Sequence, residues 1–102
     1  MFDIYEDDCF RLKITLEEGL PYFHVDVKRV VTKSDVKRGK EIFSAVKDLV
    51  VNAGYERLYA YTPKIKFARL IGPGFIHLQR IEHESGALDV IVWELLEDSD
   101  GS

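Results

Sequence analysis

Two titratable side chains, His24 and Asp26, lie two residues apart in a segment where apolar and polar residues alternate. Alternation of this kind predicts a strand, and residues i and i+2 of a strand point to the same face. A histidine beside a carboxylate on one sheet face is a combination that can move protons at neutral pH. The pattern is equally typical of a structural role, in which Asp26 forms a cross-strand ion pair near Lys28.

A basic segment forms the second group of candidate functional residues. Between residues 28 and 40 the chain has six bases against one acid, Asp35. The bases are Lys28, Arg29, Lys33, Lys37, Arg38 and Lys40. A local positive patch attracts a phosphate-bearing ligand, or else it is the solvated start of a helix.

The charge of the whole chain limits the partners of this patch. The 102 residues carry a net charge of −4, and carboxylates are concentrated in two acidic ends, residues 1–8 and 97–102. These ends compete for the same basic patch, and the sequence has no RNA-binding motif or recognition-helix signature. We therefore do not expect nucleic acid to be the partner of this patch.

Composition indicates the cellular compartment in which we expect the protein to work. A single cysteine, Cys9, cannot form an internal disulfide, and no Cys/His spacing indicates a metal site. No apolar run approaches the roughly 18 residues of a membrane span, and the N-terminus is acidic where a signal peptide is basic. We expect a protein of the cytoplasm with no metal and no membrane partner.

The hydrophobic periodicity divides the chain into seven elements of one domain, residues 1–102, patterned from about 9 to 96. The predicted strands span residues 9–17, 22–31, 56–61, 75–82 and 87–95, and the predicted helices span residues 35–53 and 63–71. The order β-β-α-β-α-β-β predicts an α/β fold with a mixed sheet and a right-handed parallel crossover through the long helix. We expect Phe43, Val46 and Val50 to pack that helix against the sheet.

Residue types at the ends of these elements predict their boundaries. Ser34 or Asp35 is expected to cap the long helix, and Gly54 to follow its C-terminus. Thr62-Pro63 is expected to open the short helix, because proline fits the first helical position. Two adjacent apolar residues in the segment 29–31 predict a bulge at the end of the second strand.

The stretch from Tyr22 to Leu95 carries the features of a known family. A strand leads into Arg38-Gly39-Lys40 and the long helix, residues 52–58 read NAGYERL, and Gly74-Phe75 precedes a terminal strand pair. In element order and in these motifs, the chain resembles a truncated member of the GNAT superfamily, the acetyl-CoA-dependent N-acetyltransferases. The resemblance covers roughly three quarters of the chain.

This resemblance implies an acetyl-CoA site at the start of the long helix. In the family, backbone N–H groups at a helix N-terminus hold the pyrophosphate of CoA. The residues that match this position are Lys37, Arg38, Gly39 and Lys40.

The resemblance also implies roles in N-acyl transfer. A general base takes a proton from the acceptor amine, and His24 and Asp26 are the candidates on the second predicted strand. A tyrosine protonates the departing thiolate in many members, and Tyr61 or Tyr59 lies where the third strand ends. The ligand crevice of such sheets lies beside strand C-termini.

A non-catalytic role is the alternative that the same resemblance implies. Residues 1–8 are too few to supply the family's first strand and early helical pair, which help to form the acceptor groove. Short proteins of similar appearance occur in tailed phages, some as virion or head-assembly components. Under this alternative, we expect the chain to be a GNAT-fold module that has lost its activity. It would bind a protein partner or a second copy of itself, in the host cytoplasm or in the virion. The candidate interface residues are Tyr59, Tyr61, Phe67 and Trp93, which are equally typical of a core.

Overall fold

The structure is a computed structural model that describes residues 2–95, with Phe2 described by its backbone alone. It contains six strands and two helices in the order β-β-β-α-β-α-β-β. These are β1 Phe2–Glu6, β2 Phe10–Glu17, β3 Leu20–Val27, α1 Lys33–Asn52, β4 Arg57–Thr62, α2 Ile65–Ile71, β5 Ile76–His83 and β6 Gly86–Glu94. The acidic segment 97–102 lies outside the described residues.

All six strands belong to one mixed sheet with the order β1-β2-β3-β4-β6-β5. The pair β3–β4, which α1 connects, is parallel, and every other neighbouring pair is antiparallel. The α/β class and the parallel crossover predicted from the sequence are therefore confirmed. Neither helix of residues 2–95 combines the length and the apolar composition that crossing a membrane requires.

The N-terminal segment is the main correction to the predicted order. Residues 2–6 were assigned to an unpatterned acidic end, yet they form β1, which pairs with β2 at the edge of the sheet. Their acids lie across from bases of β2: Asp3 is in register with Lys13, and Glu6 with Arg11. This cross-strand complementarity gives the acidic residues a place in a strand.

Both helices pack on the same face of the sheet, over a continuous apolar core. Phe43, Val46 and Val50 are each at most 5% exposed, which confirms the predicted facing of α1. The core residues contributed by the strands are Phe10, Leu12, Ile14, Phe23, Leu58, Ala60, Ile91 and Trp93. In β2, β4 and β6 these residues alternate with residues of the opposite face, as one buried sheet face requires.

The capping of α1 differs from the prediction by a few residues. Thr32 is the N-cap, and its hydroxyl accepts a hydrogen bond from the Asp35 backbone N–H. The Asp35 carboxylate in turn accepts from the Thr32 N–H at 2.9 Å, so the two residues form a capping box. Gly54 follows the helix with φ +98°, the left-handed conformation predicted for a glycine there.

The second helix is shorter than predicted because β4 extends through Thr62. Helix α2 begins at Ile65, and the Thr62 hydroxyl accepts a hydrogen bond from the Lys64 N–H at 3.1 Å. Strand β3 ends at Val27, so the segment 29–31 lies outside it and contains no bulge. The register shifts lie instead in β1, between Asp3 and Tyr5, and in β5, between His77 and Gln79.

Candidate functional site

The parallel strands β3 and β4 separate soon after they meet. They pair only at Tyr22 with Tyr59 and at Phe23 with Ala60. Beyond these rows β3 continues to Val27 and β4 to Thr62, each paired with its other neighbour alone. Their facing backbone groups therefore have no strand partner among residues 2–95, and the sheet opens at the carboxyl ends of its two parallel strands.

An apolar cleft of about 100 Å³ occupies this opening on the helix side of the sheet. Val25 and Val27 line one side and are 37% and 46% exposed. The other wall and the floor are formed by residues of β4, α2 and β6: Ala60, Tyr61, Thr62, Phe67, Ala68, Ile71, Ile91 and Trp93.

A set of aromatic contacts fixes the floor of the cleft. Trp93 donates a hydrogen bond from Nε1 to the Gly72 carbonyl oxygen at 2.7 Å. Its ring lies 4.7 Å from the Phe43 ring and 5.9 Å from the Phe75 ring, between centroids. Because Phe43 lies on α1, Gly72 directly follows α2 and Trp93 lies on β6, these contacts hold the three elements together.

His24 and Asp26 lie on the opposite face of the sheet, which carries no helix of the described chain. The His24 Nε2 atom is 2.9 Å from the Thr15 hydroxyl oxygen on β2. Asp26 is exposed and lies 3.8 Å from the Lys13 ammonium group. The expected ion pair across the strands is therefore present, but its base is Lys13, whereas Lys28 pairs with Glu6.

Three tyrosines form a stack on the same open face, next to the split. The Tyr22 ring lies 5.2 Å from the Tyr59 ring and 5.0 Å from the Tyr61 ring. Burial, together with the neighbouring Tyr22 and Glu17, raises the pKa of Tyr61 to about 12. The last paired row of the two strands is Phe23 with Ala60, and His24 and Tyr61 are the residues that follow it. These two candidates therefore lie where the strands part.

The residues predicted to hold a pyrophosphate do not open α1. The helix begins at Lys33, so Arg38-Gly39-Lys40 lies in its second turn, where backbone N–H groups already bond within the helix. Gly39 is buried, and a Cβ at this position would lie 2.8 Å from Ile71 Cδ1. Its missing side chain lets α1 and α2 approach closely, whereas Lys37 and Lys40 are exposed.

Carboxylates occupy the start of α1 and much of the basic patch. The Asp35 side chain is 2% exposed and accepts hydrogen bonds from Arg29 at 2.6 Å and from Arg38 at 2.7 Å. Asp7 accepts a further one from Arg38 at 2.9 Å. The bond from Arg29, followed by those from the Thr32 backbone and side chain and from Arg38, holds the pKa of Asp35 well below its ordinary value.

The N-terminal acids thus neutralise bases that the sequence alone presented as a patch. A hydrogen bond from the Tyr5 hydroxyl, with bonds from two backbone N–H groups, holds the pKa of Asp7 well below its ordinary value. Asp8 pairs with Arg29 at 3.2 Å. Three of the six bases, Lys28, Arg29 and Arg38, are therefore held in ion pairs.

His77 and Asp89 form a pair of titratable residues that the sequence alone does not predict. Asp89 is buried, and its Oδ1 lies 2.9 Å from His77 Nε2, while Arg80 lies 3.9 Å from its Oδ2. His77 is in register with Ile91, and Asp89 with Thr62, and both partners line the cleft. The sequence signal is an acid between apolar residues of β6. Its histidine partner lies on β5, opposite a residue two positions further along β6, so only the register of the two strands reveals the pair.

No family model, no curated protein and no solved structure matches the chain. Within residues 2–95, no group of three or more histidine, cysteine, aspartate or glutamate side chains is placed to hold a metal ion. The features that bear on function are therefore the cleft between β3 and β4, the titratable groups beside it and the neutralised start of α1.

Proposed function

We propose that this protein binds the acyl-pantetheine end of acetyl-CoA in the cleft between β3 and β4, as a GNAT-like N-acyltransferase-type protein. The observation that carries the proposal is the early separation of the two parallel strands. Ligands of open α/β sheets bind beside the carboxyl ends of parallel strands, and here the separation creates an apolar cleft at that position.

The shape and chemistry of the cleft fit a short thioester chain. An extended chain that enters between two unpaired strand edges can exchange hydrogen bonds with the backbone of both, as in strand addition. The pantetheine arm carries amide groups suited to this pairing, and its acyl end is apolar. A volume of about 100 Å³ accommodates an acetyl group and a few atoms of the arm.

The protein offers fewer stabilising contacts to the nucleotide end of acetyl-CoA than to its acyl-pantetheine end. The N-terminus of α1 is already capped by Thr32 and Asp35, and the Asp35 carboxylate opposes a phosphate at that place. The exposed Lys33, Lys37 and Lys40 are the charges left for the phosphates, and Arg38 joins them only if it leaves Asp7 and Asp35. We therefore expect acetyl-CoA and S-acetylpantetheine to bind with affinities within about tenfold of each other.

The open face is the side from which an acceptor amine would approach. The amine nitrogen attacks the thioester carbonyl, the C–S bond breaks, and the amine loses a proton to a base. His24 and Asp26 are the bases on this face. With its raised pKa, Tyr61 stays protonated and serves the departing thiolate as a hydrogen-bond donor rather than as its proton source.

The intrinsic fluorescence of the chain's single tryptophan tests the proposal, because Trp93 lines the cleft. Acetyl-CoA is expected to change the Trp93 emission with saturation below about 1 mM. Val27→Phe places a ring at the mouth of the cleft and is expected to weaken binding at least tenfold. Val30→Phe is the matched control, because Val30 is 85% exposed and does not line the cleft. Unchanged emission at about 1 mM, or equal weakening by both variants, would contradict the proposal.

A non-catalytic GNAT-fold module, acting in virion assembly or protein interaction, is the second candidate. The neutralised arginines and the capped start of α1 favour it. It predicts no transfer of an acetyl group to amines or water, and a stable protein partner. Turnover that is lost in Val27→Phe and kept in Val30→Phe would eliminate this candidate.

A further inference from the structure

A second apolar cavity, of about 20 Å³, lies beside the cleft, between the sheet and the two helices. The residues that line it but do not line the cleft are Phe10, Leu12, Gly39 and Ile42. Every side chain around it is a hydrocarbon, so it offers no hydrogen bond to a bound group. Cavities with wholly apolar walls stay dry and accept apolar molecules.

The cleft and this second cavity share a wall. The residues that line both are Phe23, Val25, Phe43, Phe67 and Ile71. Because all five are apolar, a hydrocarbon chain that crosses from the cleft into the second cavity buries no polar side chain of the protein. The second cavity is therefore suited to the end of an apolar chain that enters through the cleft.

Helix α2 contributes the part of the wall that is least firmly held. Phe67 and Ile71 are four residues apart on this helix, and hence lie on the same face. No residue of α2 is buried, and no side chain caps its N-terminus. An element with few buried contacts has low local stability, so α2 yields to a bound chain more readily than the sheet does.

The rest of the wall is rigid by comparison. Phe23 and Phe43 are 5% and 3% exposed, and their rings lie 5.7 Å apart between centroids. The Phe67 ring lies 6.3 Å from the Phe10 ring on the far side of the second cavity. The position of Phe67 therefore decides how far a chain extends beyond the cleft.

We propose that the site takes a four-carbon acyl group, a butanoyl thioester, whose terminal methyl group lies in the second cavity. This inference rests on the proposed function, because it starts from an acyl end that lies in the cleft. An acetyl group ends within the cleft, whereas the two further carbons of a butanoyl group reach the second cavity. That cavity has only about a fifth of the volume of the cleft, so a hexanoyl chain meets Phe67 before it is fully buried.

Calorimetric titrations of the intact chain with acetyl-, butanoyl- and hexanoyl-CoA test this inference. Burial of each CH2 group strengthens binding by a factor of about four, so butanoyl-CoA is expected to bind about tenfold more tightly than acetyl-CoA. Hexanoyl-CoA is expected to bind no more tightly than butanoyl-CoA, because its last carbons find no room.

Ile42→Phe fills the second cavity from α1, because Ile42 lines this cavity and does not line the cleft. It is expected to reduce the preference for butanoyl-CoA over acetyl-CoA from about tenfold to less than about twofold. Leu49→Phe is the matched control and is expected to keep the full preference. Leu49 lies on the same helix, is 52% exposed and lines neither cavity.

Phe67→Ala removes the ring from the shared wall, and it is expected to make hexanoyl-CoA the tightest of the three ligands. Thermal melts establish that each variant is folded. Equal affinities of the wild type for acetyl-CoA and butanoyl-CoA would overturn the inference and leave the proposed function in place. So would a butanoyl preference that Ile42→Phe retains, or a Phe67→Ala variant that still prefers butanoyl-CoA. Failure of all three ligands to bind would overturn the proposed function together with this inference.

Discussion

Replacing Gly72 by alanine tests the packing that forms the floor of the cleft. Gly72 follows α2, and a Cβ at this position would lie 2.4 Å from Cε2 and 2.7 Å from Cδ2 of Phe43. Ordinary contacts begin at 3.4 Å, so the methyl group and the Phe43 ring must separate by about 1 Å. The ring has little room to move, because Phe43 is 3% exposed and packs between Phe23 and Trp93.

The expected cost is that of an overpacked core, about 1–3 kcal/mol in the free energy of unfolding. For a domain of this size, this corresponds to a fall in Tm of roughly 4 to 24 °C. Urea unfolding followed by Trp93 fluorescence measures the change, and it also reports the altered tryptophan environment, since Trp93 bonds to the Gly72 carbonyl.

Gly39→Ala is the matched control for this substitution. A Cβ at Gly39 would meet Ile71 Cδ1 at 2.8 Å, but that atom is the end of a flexible side chain. Alanine within a helix also gains about 0.5–1 kcal/mol over glycine, which offsets the contact. We expect its stability to lie within about 0.5 kcal/mol of the wild type. If Gly72→Ala were as stable as Gly39→Ala, the described contact between α2 and Phe43 would be wrong.

Three further predictions test the helix start, the core and the tyrosine stack. The pKa of Asp35 is lowered by folding, so its contribution to stability is present above the ordinary carboxyl value of 3.8 and is lost as the pH falls below it. The wild-type urea midpoint should therefore fall more between about pH 5 and pH 2 than that of Asp35→Asn, with exposed Asp48→Asn behaving as wild type. Val46→Asp buries an unpaired charge under α1 and should abolish the cooperative thermal transition, and a normal melt would refute the facing of the helix. An ultraviolet titration should show a tyrosine ionising near pH 12 that disappears in Tyr61→Phe, and an unchanged curve would contradict its burial in the stack.

Periodicity alone predicted most of the fold because the helix-facing residues are strongly patterned. The alternation in β2 and the helical spacing of Phe43, Val46 and Val50 both reflect burial against one core. β1 was missed because its acids look like a solvated end. Their place in the sheet depends on Lys13 and Arg11, which lie on another strand.

The candidate site is harder to predict than the fold. It depends on where two strands stop pairing and on which charged side chains form ion pairs. β3 and β4 pair at only two rows, and no single residue encodes where two strands so far apart in the chain stop pairing. The sequence resemblance predicts a phosphate loop at Arg38 and Gly39, but Arg38 bonds to Asp7, 31 residues earlier in the chain, and Gly39 packs against Ile71. The His77–Asp89 pair likewise requires the register of two strands.

If the protein transfers acetyl groups, variants of His24 and His77 show which of the two histidines acts as the general base. His24→Gln removes the group on the open face, and His77→Gln removes the one beside Asp89. The proposed approach of the acceptor predicts that His24→Gln lowers kcat and alters its pH profile, while His77→Gln leaves both unchanged. The opposite result would move the acceptor to the helix side of the sheet.

The most direct test of the split between β3 and β4 as the ligand site is an amide chemical-shift titration of the intact chain with acetyl-CoA. The account predicts saturable shifts for residues 24–27 and 61–62, on the two unpaired edges, and little change at the capped start of α1, residues 33–35. S-acetylpantetheine should shift the same amides. Shifts confined to residues 33–40, or none at about 1 mM ligand, would contradict it.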